Sequence, residues 1–134
     1  MAWVEIFAVL VVSHAVGDYM LQTDWQALNK RGGLGGDPVA QRALVSHVVS
    51  YTAAFVPAAV WLGDDLKPLG VIAFLAGIFF PHLIQDDGRL LGRYIRTVKG
   101  EGAASNQALV TSVDQSLHIV VLFLTAVAVH AATS

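Results

Sequence analysis

The chain is 134 residues long with a net charge of −2, and 55% of it is hydrophobic against 13% charged, where a soluble domain uses roughly 25% charged residues. So few charges cannot cover the surface of a soluble domain, and the lack of a basic excess excludes an ordinary nucleic-acid binder. With no cysteine, disulfide scaffolds, thiolate nucleophiles and Cys-based zinc or iron–sulfur sites are excluded too, so any metal must be held by His, Asp or Glu.

Crossing a bilayer takes about 20 predominantly apolar residues. Four spans are predicted in chain order, over residues 3–25, 42–63, 67–95 and 106–131, forming one all-α domain, an integral membrane four-helix bundle. The first span carries Asp18 ahead of the polar cluster from Gln22 to Asp24, yet its apolar density is too high for an exposed helix. Glu5 stands where a signal peptide would be basic, so the span reads as retained rather than cleaved. The connection after it, Arg31 to Pro38, is rich in glycine and reads as mobile; it lacks the Lys and the flanking strand of a phosphate loop. The second span lies uncharged between Arg42 and Asp64, the third between Lys67 and Asp86, and the fourth runs uncharged from Gln115 to Ser134. Pro57 and Pro81 fall inside spans two and three, where a proline frees a carbonyl and bends the helix. Trp3, Trp25 and Trp61 lie near span ends and read as interfacial anchors.

Lys and Arg in short loops stay on the cytoplasmic side of a membrane. Lys30, Arg31, Arg42, Arg89, Arg93, Arg96 and Lys99 all belong to the first and third connections, with only Lys67 in the second. Both termini and the Asp64–Lys67 turn are therefore expected outside, in a multi-pass protein of the cell membrane. Arg89, Arg93 and Arg96 recur at helical spacing; they read as positive-inside anchors, with a lipid or substrate phosphate as the alternative.

Ionisable residues inside a membrane cost about 2.5–3.5 kcal/mol each on insertion scales, so they need partners or a function. Here they follow a pattern. His14 and Asp18, His82 and Asp86, and Asp114 and His118 are each four residues apart, which puts both members of a pair on one helix face. Helix two adds His47, with Tyr51 four residues on. Given the expected topology, every Asp is the shallower member of its pair, and the groups lie about 5–16 Å inside the cytoplasmic surface. Carboxylates and imidazoles converging from several helices are how bundle cores build metal sites. His14, Asp18, His47, His82, Asp86, Asp114 and His118 are the candidate ligands for one or two divalent ions, with Zn, Mn and Fe(II) all suited to nitrogen and oxygen donors. Gln22 continues the His14–Asp18 face and is a candidate for orienting a ligand or substrate, whereas Asp24 and Lys30 read as interfacial. His130 lies near the outer terminus and stays outside the set.

The segment His14-Ala-Val-Gly-Asp18-Tyr-Met-Leu-Gln22-Thr-Asp24-Trp25, followed by Asn29-Lys30, resembles the opening signature of the domain-of-unknown-function 3307 family, small integral membrane proteins of bacteria and their phages. Ser46-His47 with Tyr51-Thr52, His82-Leu-Ile-Gln-Asp86 leading to Arg89 and Arg93-Tyr94, and Asp114-Gln115-Ser-Leu-His118 continue the resemblance over most of the chain. It implies a fold and a set of positions, not an activity. More loosely, such proteins are similar to membrane-bound metal-dependent hydrolases. Gln85 departs from the apolar residue expected before Asp86, and Asp87 follows as a second candidate ligand.

The expected function is that of a membrane-embedded metal-dependent hydrolase. Its ion would activate water and polarise a substrate carbonyl or phosphoryl oxygen, while Asp18, Gln22 and Asp86 carry the catalytic chemistry. A site near one leaflet suits a lipid-linked or amphipathic substrate. Seven candidate groups exceed the needs of one tetrahedral ion, so either the site is dinuclear or some members are bases behind the ligands. The alternative is a non-enzymatic membrane protein, for example a phage membrane-modifying or interaction protein, in which the same residues relay ions or protons or staple the bundle. Transport by so few spans would need a homo-oligomer.

Overall fold

In the computed structural model, which describes residues 1–134, every regular element is helical. Helix α1 (Trp3–Ala15) runs without a break into a π-helical stretch, Val16–Leu21. Gln22 then turns extended, and Thr23 caps α2 (Asp24–Asn29) by accepting from the Gln26 amide. The first long helix therefore ends at Leu21 and not at the expected residue 25, because the Thr23 cap starts a new helix in a new direction.

Asp37 caps α3 (Pro38–Ala53), its Oδ1 accepting from the Val39 and Ala40 amides at 2.8 and 3.3 Å. Pro38 opens the first turn, where its missing N–H costs nothing, so the second span begins ahead of the expected residue 42. After a break at Ala54 and Phe55, α4 (Val56–Trp61) carries Pro57 in its own first turn. Helix α5 (Gly63–Asp87) is interrupted once, at Lys67 (φ 62°, ψ 168°); the following proline disfavours helical backbone there, while nothing in the structure explains the positive φ. Its regular part starts at Pro68.

Gly88 stops that helix with φ 76°, a left-handed conformation that side-chain-bearing residues adopt only at a cost. Consequently α6 (Arg89–Lys99) is a separate amphipathic helix, burying Leu91 and Ile95, and the third span does not continue to residue 95. Asn106 caps α7 (Gln107–Thr133), its Oδ1 accepting from the Leu109 amide at 3.2 Å.

Four stretches, Trp3–Leu21, Pro38–Trp61, Gly63–Asp87 and Gln107–Thr133, are long and apolar enough to cross a membrane. They pack as a ring in which α7 neighbours α1 and α5, while α3 neighbours α5 and the π-helical end of α1. Val12, Val49, Val60, Leu69, Ile72 and Leu124 are all more than half exposed, as lipid-facing residues would be. The arginine-bearing connections gather at one end, where the Gly32 amide donates to the Asp87 carbonyl (2.8 Å). At the other end His130 Nδ1 donates to the Met1 carbonyl (2.9 Å). Between them an apolar core of Ile6, Leu10, Phe55, Leu62, Phe74, Ile78, Leu122 and Ala126 occupies the half nearer the termini.

Candidate metal centre

The other half of the bundle is filled by ionisable groups. Asp18 lies in the π-helical stretch, His47 on α3, His82 and Asp86 on α5, and His118 on α7, all buried. Their meeting depends on one close approach: a Cβ built at Gly17 would lie 2.6 Å from the Tyr51 ring, so only glycine lets that ring lie against the π-helical stretch. Tyr51 in turn stacks face to face on the His82 imidazole, centroids 3.4 Å apart. The histidines cluster as the i, i+4 pattern requires, with ring centroids 5.4 Å apart for His14 and His118, 5.1 Å for His47 and His82, and 4.8 Å for His82 and His118.

Two donor groups emerge. In the first, His47 Nε2 lies 3.3 Å from Asp18 Oδ1 and 2.8 Å from Asp86 Oδ2, and His82 Nε2 lies 3.4 and 3.2 Å from the same two oxygens. The two Nε2 atoms are 3.0 Å apart. Around a tetrahedral zinc, with bonds of about 2.0–2.2 Å, neighbouring ligand atoms are spaced about 3.3–3.6 Å; five of the six separations among these four atoms are 2.8–3.4 Å and all lie within 4.8 Å, close enough to share one ion. In the second group Asp86 turns its other oxygen, Oδ1, to His118 Nε2 at 3.3 Å, with Asp114 alongside. Asp86 is common to both.

Hydrogen-bond bookkeeping leaves several atoms of these groups without a partner. His118 Nδ1 donates to the Asp114 carbonyl (2.8 Å), so in a neutral ring its Nε2 would turn a lone pair toward Asp86 Oδ1, 3.3 Å away. Two imidazole nitrogens 3.0 Å apart can share only one hydrogen. Asp18 Oδ1 and His118 Nε2 are buried without any hydrogen-bond partner, and buried polar atoms are rarely left so. Acceptors facing acceptors across about 3 Å would be compensated by a shared proton or by a metal ion between them.

His14 stands apart from the donor groups. Gln115 Oε1 accepts from the Tyr19 hydroxyl (2.8 Å) and lies 3.0 Å from His14 Nε2, which must therefore donate. His14 Nδ1 then accepts from the Tyr51 hydroxyl at 3.0 Å, leaving no lone pair for an ion. The structure thus joins Asp18, His47, His82, Asp86, Asp114 and His118 around the centre and sets His14 behind Tyr51. Asp87 points away: its Oδ1 accepts from the Leu34 amide (2.8 Å) and its Oδ2 from Arg89 Nε (2.6 Å), so it pins the first connection to α6.

Lys30 is the residue that the sequence pattern did not single out as part of the centre. Its Nζ donates to Asp86 Oδ2 at 2.6 Å and to Gln22 Oε1 at 2.5 Å. It comes from a connection rather than a span, so helical spacing cannot reveal it; its place beside Asn29 in the quoted signature is the only trace. Gln22 accordingly acts as a holder of Lys30. A cavity of about 20 Å³, lined by Lys30, Asp86, Asp114 and Arg31 among others, opens beside the second group.

The family described as Protein of unknown function (DUF3307) matches residues 6–134, nearly the whole chain. No curated protein and no solved structure matches it.

Proposed function

From the premise that this chain belongs to the DUF3307 family, we propose that it is a four-span membrane protein that holds divalent transition-metal ions inside its bundle and uses one of them to hydrolyse an amphipathic substrate. The observation that carries this reading is the inequality of the two donor groups around Asp86. Four protein atoms surround the first, which is the closed arrangement of structural sites; only Asp86, Asp114 and His118 serve the second, and three protein ligands with an open position mark catalytic ones. The cavity of about 20 Å³ lies on that open side, large enough for one water by the about 10–15 Å³ criterion.

Bound there, an ion supplies Lewis-acid polarisation of a carbonyl or phosphoryl oxygen. The chain's own residues do the rest. Asp114 is the only partly exposed carboxylate of the centre and can take a proton from water in the cavity; Lys30, held by Gln22, presents its ammonium where negative charge would develop. In this reading the arginine-bearing end faces the cytoplasm, and the chain acts as one domain.

The four-donor group by itself favours a second reading, a metal that only staples the helices. Elemental analysis of the detergent-purified protein, with and without chelator, is the first test, and one to two ions of Zn, Mn or Fe per chain are expected. His82→Gln should abolish the chelator's effect on thermal stability, because an ion bound only to the folded state stabilises it in proportion to the logarithm of its concentration. Wild-type protein that takes up none of these metals removes the reading. Metal-loaded protein that hydrolyses no micellar p-nitrophenyl phosphate or ester leaves the staple as the better account.

A further inference from the structure

Next to the metal centre, on the side of the connections, lies a second cavity of about 370 Å³, at the lower end of the range of about 300–1,000 Å³ for ligand pockets. Three guanidinium groups from two different elements line it: Arg31 from the first connection, and Arg89 and Arg96 from α6. The sequence pattern showed only the α6 stripe, read as membrane anchoring with a lipid or substrate phosphate as the alternative, and gave Arg31 no part in it. Anchoring does not require Arg31 to join it across a fold contact, and it does not explain why Arg93, on the same helix, is left out of the cavity.

The convergence is built by the backbone. The Gly32 amide donates to the Asp87 carbonyl, which lays Arg31 over Gly88; a Cβ at Gly88 would sit 3.5 Å from Arg31 Cγ. Arg96 lies over Gly92 in the same way, with its Nη1 3.5 Å from the position of a Cβ there. Asp87 is the only carboxylate lining the cavity, and it is engaged by Arg89 at 2.6 Å. No acidic side chain lies within salt-bridge distance of Arg31 or Arg96. Three positive charges against one negative leave a cavity that repels itself until an anion enters. Guanidinium forks fit phosphate oxygens in pairs.

Two further features narrow the ligand. Arg31 and Gly88 also line the small cavity that reaches Lys30, Asp86 and Asp114, so one wall separates the arginines from the metal centre. Helix α6, which carries two of the arginines, exposes Leu90, Tyr94 and Val98 on another face, as a helix lying at a membrane surface does. We infer that the Arg31–Arg89–Arg96 cavity binds the doubly charged phosphate or diphosphate group of the substrate, which makes the substrate class phosphorylated and, at this depth, amphipathic. This rests on the hydrolytic reading for the word substrate, but the anion site itself does not.

Full-length protein in detergent, both zinc-loaded and chelator-treated, is titrated with inorganic pyrophosphate, and separately with dihexanoyl phosphatidic acid and dihexanoyl phosphatidylcholine. Arg31→Gln and Arg96→Gln should each weaken pyrophosphate binding about tenfold, the loss of one charge-assisted fork. Arg93→Gln should change it less than about twofold, since an exposed charge outside the cavity is screened by salt. Metal content and melting temperature serve as controls for folding and should match wild type in all three. Phosphatidic acid binding more tightly than pyrophosphate, with phosphatidylcholine not competing, assigns the site to a lipid phosphate; equal affinities assign it to the phosphate alone. Equal effects of the three arginine variants, or metal-loaded wild type that binds neither anion, overturn the inference and leave the metal reading standing. Arginine-dependent binding by a protein that takes up no metal does the reverse.

Discussion

The two halves of the bundle share the same long helices but fill the space between them in opposite ways. Toward the termini, Ile6, Leu10, Phe55, Leu62, Phe74 and Leu122 interdigitate; toward the connections, Asp18, His47, His82, Asp86 and His118 occupy the equivalent interior. Tyr51 marks the boundary, its ring packed with Phe55 on one side and stacked on His82 on the other. In the bilayer setting proposed above, the apolar half would gain little from excluding water, because the surroundings would be as apolar as the core, and its cohesion would be van der Waals packing. The polar half gains only if its charges are compensated. One half is therefore tolerant of chemistry and sensitive to shape, and the other is the reverse.

Asp86→Asn should break this contrast most severely. Asp86 is the one residue in both donor groups, and the change preserves shape while removing charge. Metal affinity should fall more than about 100-fold, beyond the 10–100-fold typical of residues behind the ligands. Asp114→Asn should spare the four-donor group, so competition titration against a chelating dye should lose the weaker of two binding steps and keep the tighter. Loss of both steps in Asp114→Asn would dissolve the distinction between a closed and an open group.

Phe55→Ala is the opposite probe, altering shape without touching charge. In soluble cores such a truncation costs about 3–5 kcal/mol; with the transfer share absent in lipid, about 2 kcal/mol is expected, read as a fall in melting temperature in nanodiscs at unchanged metal content. A cost confined to the metal-loaded state would mean that the apolar half is held together by the metal.

Glycine substitution sharpens the comparison further. Gly17→Ala places a methyl 2.6 Å from the Tyr51 ring, whereas Gly77→Ala, in the apolar half of α5, meets nothing within 4 Å. The first should cost about 1–3 kcal/mol as overpacking and weaken metal binding by displacing Tyr51 from His82. The second should be neutral or slightly stabilising, since alanine is the better helix former by about 1 kcal/mol. Equal melting temperatures for the two variants would show that Tyr51 has room to retreat.

The same contrast explains what could be read from the residues alone. The pairs His82–Asp86 and Asp114–His118 are local, four apart on one helix, so periodicity brings them to a common face. That Asp86 and not Asp87 turns inward follows from a stop at Gly88 and from the pinning of Asp87 by Leu34 and Arg89, both long-range or conformational facts invisible to spacing. Lys30 and Arg31 reach the site from a connection whose path is set by the Gly32–Asp87 hydrogen bond. His14 satisfies the spacing rule as well as any ligand does, but Gln115, a hundred residues away in sequence, occupies one of its nitrogens at 3.0 Å. Span ends were least legible at residues 25 and 95, where Thr23 and Gly88 act as local stops within otherwise continuous patterns.

Tyr51→Phe is the mildest change and tests the boundary residue itself. The hydroxyl's only partner is His14 Nδ1 at 3.0 Å, while the ring's stacking on His82 at 3.4 Å needs no oxygen. Removing the hydroxyl should therefore cost only about 0.6 kcal/mol, the average of an intramembrane hydrogen bond between helices, and leave metal content unchanged. The freed His14 nitrogen regains a lone pair 3.5 Å from Asp18 Oδ2, so any effect on the metal should be a slight gain in affinity. Tyr51→Leu, which removes the ring, should lower both stability and metal affinity, because His82 then loses the surface that fixes its plane. If Tyr51→Phe instead released metal as readily as His82→Gln, the hydroxyl would have to reach the ion's surroundings directly, and His14 would have to be returned to the donor set.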